Sequence, residues 1–213
     1  MVVKNDSQTI RKCLRSVRPL IDSYSISDTG STDDTMAIIR KELAGLPGVL
    51  KSDPEQDLAT NRNAALRRCT GKHILLVNAD ETVENPSRQI TLPEVCDALT
   101  VRVTFPDEGH WMTRIIRNDS KWHFTGDGIE SLAYDGHPTI WRLFDIRIYA
   151  KDNSGRQRPW QKLSNDLAIL NSRPPTPRNV IYQAQTLLGL GRLEEAIAKF
   201  KERAQMGGWE EEV

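Results

Sequence analysis

Within NDSQTIRKCLRSV, the apolar residues Ile10, Cys13, Leu14 and Val17 recur at helical spacing, with Asp6 or Ser7 placed to cap the helix. Met1–Val3 before it reads as a short strand. IDSYSISDTG alternates Tyr24 and Ile26 and reads as a second strand ending at Asp28 and Gly30; STDDTMAIIRKEL then opens a second helix with Ser31 or Thr32 as cap. GVLKSD is a third strand, residues 58–70 a helix with Leu58, Ala65, Leu66 and Cys69 inward, and HILLVN a fourth strand. Strands alternating with helices predict right-handed crossovers and an α/β fold with a mostly parallel sheet flanked by helices.

Beyond Glu84 the pieces shorten to VRVTF, TRIIRN and KWHF, with Trp111, Trp122 and Trp141 among them. This half is expected to complete the sheet. SRPPTP at 172–177 forbids a continuous helix, because proline removes a donor and clashes with the preceding turn. The expected organisation is a sheet domain at 1–171, a linker at 172–177 and a helical hairpin at 178–213. The hairpin segments join at Gly189–Gly191. Counted from Pro177, Ala184, Gly191, Ala196 and Phe200 fall on the packing positions of a tetratricopeptide repeat of about 34 residues. One such repeat cannot bury its own apolar face. It is expected to belong to an incomplete array and to pack on the sheet domain, on a second copy as a homodimer, or on repeats beyond Val213. An ordinary αα-hairpin is the alternative.

Twenty-nine basic and 29 acidic residues cancel, so no global field favours nucleic acid or an anionic membrane. Three cysteines without CxxC or Cys/His spacing argue against a disulfide framework and structural zinc, and point to the cytoplasm. No apolar run is long enough for a membrane span, and no leader is legible. MVVKND starts inside what reads as a strand, so either residues precede Met1 or that strand is short.

The stretch HILLVNADETVE, residues 73–84, runs an apolar strand into Asp80 and Glu81. Open α/β sheets bind ligands beyond the carboxyl ends of their strands, so these acids stand either at a ligand or merely in a turn. The motifs MVVKND, ISDTGSTDDT, LATNRNAALRRCTG, LLVNADE, RIIRN and WHFTGDGIE follow one another in order. Through them the chain resembles the family 2 glycosyltransferases of the GT-A fold, in the branch with C-terminal tetratricopeptide repeats.

That resemblance implies a Rossmann-like GT-A domain and an inverting hexosyltransferase that uses a nucleotide-diphosphate sugar, such as a UDP-hexose, and Mg²⁺ or Mn²⁺. Asp28 would accept from the nucleobase, with Gly30 near the ribose and Asn5 and Lys4 near the base. Arg62 would meet the base or diphosphate, Asn63 would fix a loop, Asn78 would bond the ribose or a metal-bound water, and Asp80 would bind donor and metal. Glu130 is the expected base, with Asp127 second. Three positions depart from the family: Asn78 replaces an aspartate, Ile129 a histidine and Tyr149 another histidine. The metal is therefore expected to be weak or dispensable, with Lys151, Arg156 or Arg158 neutralising the diphosphate instead. The acceptor is expected to be a peptide or protein side chain, or else a saccharide, a lipid-linked group or a nucleobase. A weak or inactive module binding nucleotide or a partner, and a nucleotidyltransferase, are the alternatives.

Overall fold

The computed structural model describes residues 1–53, 58–85, 92–93, 95–105, 109–125, 130–150 and 160–207. Two units divide at Lys151/Asp152. In the first, β1 (Val2–Val3), β2 (Tyr24–Asp28) and β3 (Gly48–Ser52) form a parallel sheet in that order. The helices α1 (Ile10–Val17), α2 (Thr35–Glu42) and α3 (Leu58–Arg67) alternate with its strands. Ile10, Leu14 and Ile39 pack with Val3 and Ile26 in one core, as the helical and strand periods require.

The second half departs from the expected parallel arrangement. Strands β4 (His73–Leu75), β5 (Glu81–Glu84), β6 (Ala98–Thr104), β7 (Gly109–Arg117) and β10 (Ile140–Ala150) form a sheet ordered β4-β7-β6-β10-β5, in which only β6 and β10 run parallel. Between them β8 (Trp122–Thr125) and β9 (Ser131–Tyr134) make an antiparallel pair. The "mostly parallel" expectation therefore holds only for β1–β3. Among the described residues no helix separates the strands after β4, and strands joined without a crossover helix pair antiparallel.

Local expectations fare unevenly. Ile10, Cys13, Leu14 and Val17 are all buried. Asp6 caps nothing with its side chain; its backbone oxygen takes the Thr9 and Ile10 amides, and its carboxylate takes the Lys4 amide at 2.9 Å. Ser31 and Thr32 do not cap α2, whose N-cap is Asp34; both instead bind Asn5. Leu58 is 42% exposed because Ala59 occupies the inward place beside Ala65.

The second unit holds α4 (Trp160–Asn171), α5 (Pro177–Gly189) and α6 (Leu193–Gln205). The unit begins before the proline-rich stretch, since α4 is tied to α5: Asn179 and Gln183 donate to the Leu170 carbonyl at 2.9 and 3.2 Å. Leu167, Leu187 and Ala196 form its core. Pro177 stands at N1 of α5 behind Thr176, whose hydroxyl accepts from Asn179 N. Among the described residues no helix is long and apolar enough to cross a membrane. All three cysteines are free.

Candidate active site

The carboxyl ends of β1 and β2 meet in one turn. Asn5 adopts φ +56°, a left-handed conformation that asparagine tolerates, and this aims its side chain at the next loop. Its Oδ1 accepts from Thr32 N at 2.8 Å, and its amide donates to Ser31 Oγ at 3.0 Å. Gly30 has φ +103°, which a side chain would strain. Asp28 is 2% exposed, and its Oδ2 accepts from the Gly30 and Ser31 amides at 3.2 and 3.0 Å. Its Oδ1 is buried and has no hydrogen-bond partner among the described residues. An orphaned carboxylate oxygen is costly to bury, which suits a site that receives an N–H from a ligand.

A charged chain of side chains lies next to the turn after β4. Glu81, 2% exposed, pairs with Arg114 at 2.7 Å and accepts from Asn78 N at 2.8 Å and Asn78 Nδ2 at 3.1 Å. Asn78 Oδ1 accepts from Arg62 at 3.0 Å. Arg62 Nε lies 2.7 Å from Glu130 Oε1, a contact too bent for a hydrogen bond and therefore an ion pair. The guanidinium also sits 5.2 Å from the Phe124 ring centroid. Asn63 holds that ring's strand in place, bonding Phe124 N and O at 2.7 and 2.8 Å.

Burial raises the Glu130 carboxyl pKa above the ordinary range, opposed by the Arg62 and Arg114 charges. Burial likewise lowers that of Arg62. Glu130 Oε2 is buried without a hydrogen-bond partner among the described residues.

Asp80 is half-buried in the turn between β4 and β5. Its charge, with those of Asp33 and Asp28, helps raise the carboxyl pKa of Asp6, after burial as the main cause. The neighbourhood is thus an oxygen-rich, negative rim. Among the described residues no three His, Cys, Asp or Glu converge as metal ligands. The donor set fits a hard cation held by one carboxylate with phosphates and waters, rather than a protein cage. Arg62 and Glu81 engage both ends of the Asn78 amide. The Tyr149 hydroxyl donates to Glu84 at 2.9 Å on paired strands β10 and β5.

The expected site residues thus gather in two groups: Asn5, Asp28 and Gly30, and Arg62, Asn78 and Glu130. Asp127, Ile129, Lys151, Arg156 and Arg158 lie outside the described residues. Glu81 and Arg114 are additions to the expected set. An arginine directly beside the apolar pair Ile115–Ile116 in a strand-like segment needs a partner where it is buried, and that signal was available for Arg114. A cavity of ≈ 480 Å³ is lined by Tyr24, Ser25 and Val49 at the amino ends of β2 and β3 and also by Arg62 and Phe124, while Asp28 does not line it.

Residues 1–160 match the family Glycosyl transferase family 2. The chain belongs to this family. The SPbeta prophage-derived glycosyltransferase SunS of Bacillus subtilis (strain 168) is 23% identical over 217 residues, covering 94% of this chain and 51% of SunS. The chain thus spans about half the length of that relative. A TPR repeat-containing protein of Synechococcus elongatus is 37% identical over 81 residues, 38% of this chain and 19% of that protein. Among solved structures, S. aureus TarS 1-349 in complex with UDP-GlcNAc superposes with TM-score 0.53 and 14% identity, covering 90% of this chain and 71% of that one. The mannosyltransferase PcManGT from Pyrobaculum calidifontis, in complex with GDP-Man and Mn²⁺, gives 0.50 and 16%, covering 97% and 74%. These likenesses show an α/β fold of the GT-A type.

Proposed function

We propose that this family 2 chain is an inverting glycosyltransferase that moves a hexose from a UDP-sugar to an acceptor. The observation that carries the reading is Glu130: a largely buried carboxyl whose pKa is raised, with one buried oxygen, Oε2, that has no hydrogen-bond partner among the described residues. A carboxylate within reach of an acceptor hydroxyl can take its proton as a general base. The acceptor hydroxyl gives its proton to Glu130 as its oxygen bonds to the anomeric carbon. The bond from that carbon to the diphosphate breaks on the opposite face, and UDP leaves with the electron pair. Asp127 is held in reserve for the same role.

Asp28 Oδ1 accepts the uracil imide N–H, Gly30 brings backbone close to the ribose, and Asn5 braces that turn. Arg62 meets the diphosphate, and Asn78 positions Arg62. Asp80 would hold a divalent cation, Mg²⁺ or Mn²⁺, which when bound stabilises the charge on the leaving diphosphate. The UDP-GlcNAc of the TarS complex supports a uridine donor, and the Mn²⁺ of the PcManGT complex supports a metal. The second unit's hairpin, read as a tetratricopeptide repeat, offers a groove for a peptide or protein acceptor and a face for a homodimer. Three free cysteines support a cytoplasmic location.

A second reading, a weak or inactive nucleotide-binding module, is favoured by the Arg62–Glu130 pair that occupies the base. Calorimetric titration with UDP, UDP-glucose, UDP-N-acetylglucosamine and GDP-mannose, each with Mn²⁺ and with EDTA, tests the donor assignment. A uridine donor binding more tightly with Mn²⁺ is expected. Binding of none overturns the proposal, and binding without sugar transfer to any acceptor favours the second reading.

A further inference from the structure

We infer that Arg62 acts as a gate on the base: it neutralises Glu130 in the donor-free chain, and the diphosphate of an incoming nucleotide sugar withdraws it. This rests on the donor reading given above. Among the described residues the Arg62 guanidinium contacts Asn78 Oδ1, the Phe124 ring and the base. The contact with Glu130 is close but bent, so it carries charge attraction without a well-aligned hydrogen bond.

Both partners are largely withdrawn from water, with the Arg62 and Glu130 side chains 24% and 16% exposed. A buried ion pair sets a large desolvation cost against its Coulomb attraction, so its net contribution is small. Phosphate oxygens offer a guanidinium a stronger, forked set of charge-assisted bonds than one bent carboxylate contact. A diphosphate on the carboxyl-end face therefore competes well for Arg62.

The consequence falls on Glu130. Among the described residues, the charged groups that act on it most are Arg62 from α3 and Arg114 from β7. Arg114 is already committed to Glu81 at 2.7 Å. Once Arg62 turns to phosphate, Glu130 is a largely buried carboxylate that has lost its nearest described positive charge, and its affinity for a proton rises. The base becomes competent only when a donor is in place. That order protects the chain from deprotonating an acceptor with nothing to transfer.

The test uses the full chain and UDP as probe. Calorimetry in two buffers of different ionisation enthalpy near pH 6.5 yields affinity and proton uptake for the wild type, Glu130→Gln and Glu130→Asp. The expected result is about threefold or tighter UDP binding by Glu130→Gln, since Arg62 is then free of a competing charge. Proton uptake should be larger in the wild type than in Glu130→Gln, a difference in which the titration of UDP itself cancels. Glu130→Asp, with its carboxylate drawn back from Arg62, should bind with intermediate affinity, and it decides the matter should Glu130→Gln fail to fold. Equal affinities and equal proton uptake across the chains overturn the gate while leaving the donor reading intact. No UDP binding by the wild type overturns both.

Discussion

The side-chain amide of Asn78 donates from Nδ2 to Glu81 Oε1 at 3.1 Å while its Oδ1 accepts from Arg62 at 3.0 Å. Only one orientation of the amide satisfies a carboxylate on one side and a guanidinium on the other. An aspartate at 78 would bring a second carboxylate against the buried Glu81. The amide at 78 thus suits both of its neighbours.

Asn78→Asp should therefore lower stability by about 1–3 kcal/mol at pH 7, because one buried hydrogen bond becomes a like-charge contact. One of the two carboxyls then has a raised pKa in the folded state. Its penalty is full at high pH and fades as pH falls below that value. Urea midpoints measured at pH 7 and pH 5 check both effects; an unchanged midpoint at pH 7 would mean the site tolerates the extra charge.

Glu130→Gln should reduce sugar transfer by roughly 10²- to 10⁴-fold, the range for loss of a general base, while donor binding persists. Initial rates with a competent acceptor measure it. Undiminished turnover would pass the role of base to another group, with Asp127 next.

Asp28→Asn keeps the shape of the turn but places an amide nitrogen or a weaker acceptor where Oδ1 now stands. UDP affinity is expected to drop about tenfold or more, as for loss of a hydrogen bond to a charged acceptor. Calorimetry reads it directly, and retention of wild-type affinity would remove Asp28 from the nucleobase.

Asp80→Ala should leave donor affinity in Mn²⁺ equal to that in EDTA, whereas the wild type binds more tightly with metal. Should the wild type show the same affinity under both conditions, Asp80 is no metal ligand.

Asp53 predicts an acid-labile joint in the parallel sheet. The Arg68 guanidinium, at 2.7 Å, and the Ser27 hydroxyl hold its carboxyl below the usual range near 3.8. A depressed folded pKa contributes stability that is present above the unfolded value and lost as pH falls through the folded one. The urea midpoint should fall between about pH 5 and pH 3. In Asp53→Asn it should start lower at pH 7 and fall less steeply; parallel curves for the two chains would refute the link.

The sequence by itself determined the elements whose cause is local. The inward stripe Ile10, Cys13, Leu14 and Val17, the second strand ending at Asp28 and the left-handed Gly30 turn all follow from periodicity and backbone permission within a few residues. Its motifs also carried the family. Tertiary structure alone decided what meets what. Glu81 and Arg114 complete a network that draws on α3, the turn after β4, β5, β7 and the residue before β9, and no spacing along the chain reports that meeting. The pairing direction of β4–β10, and the company α4 keeps with α5, were decided in the same way. Periodicity registers which face of a segment leaves water. Which buried charge finds which partner depends on segments distant in sequence, and it is settled only when the whole core closes.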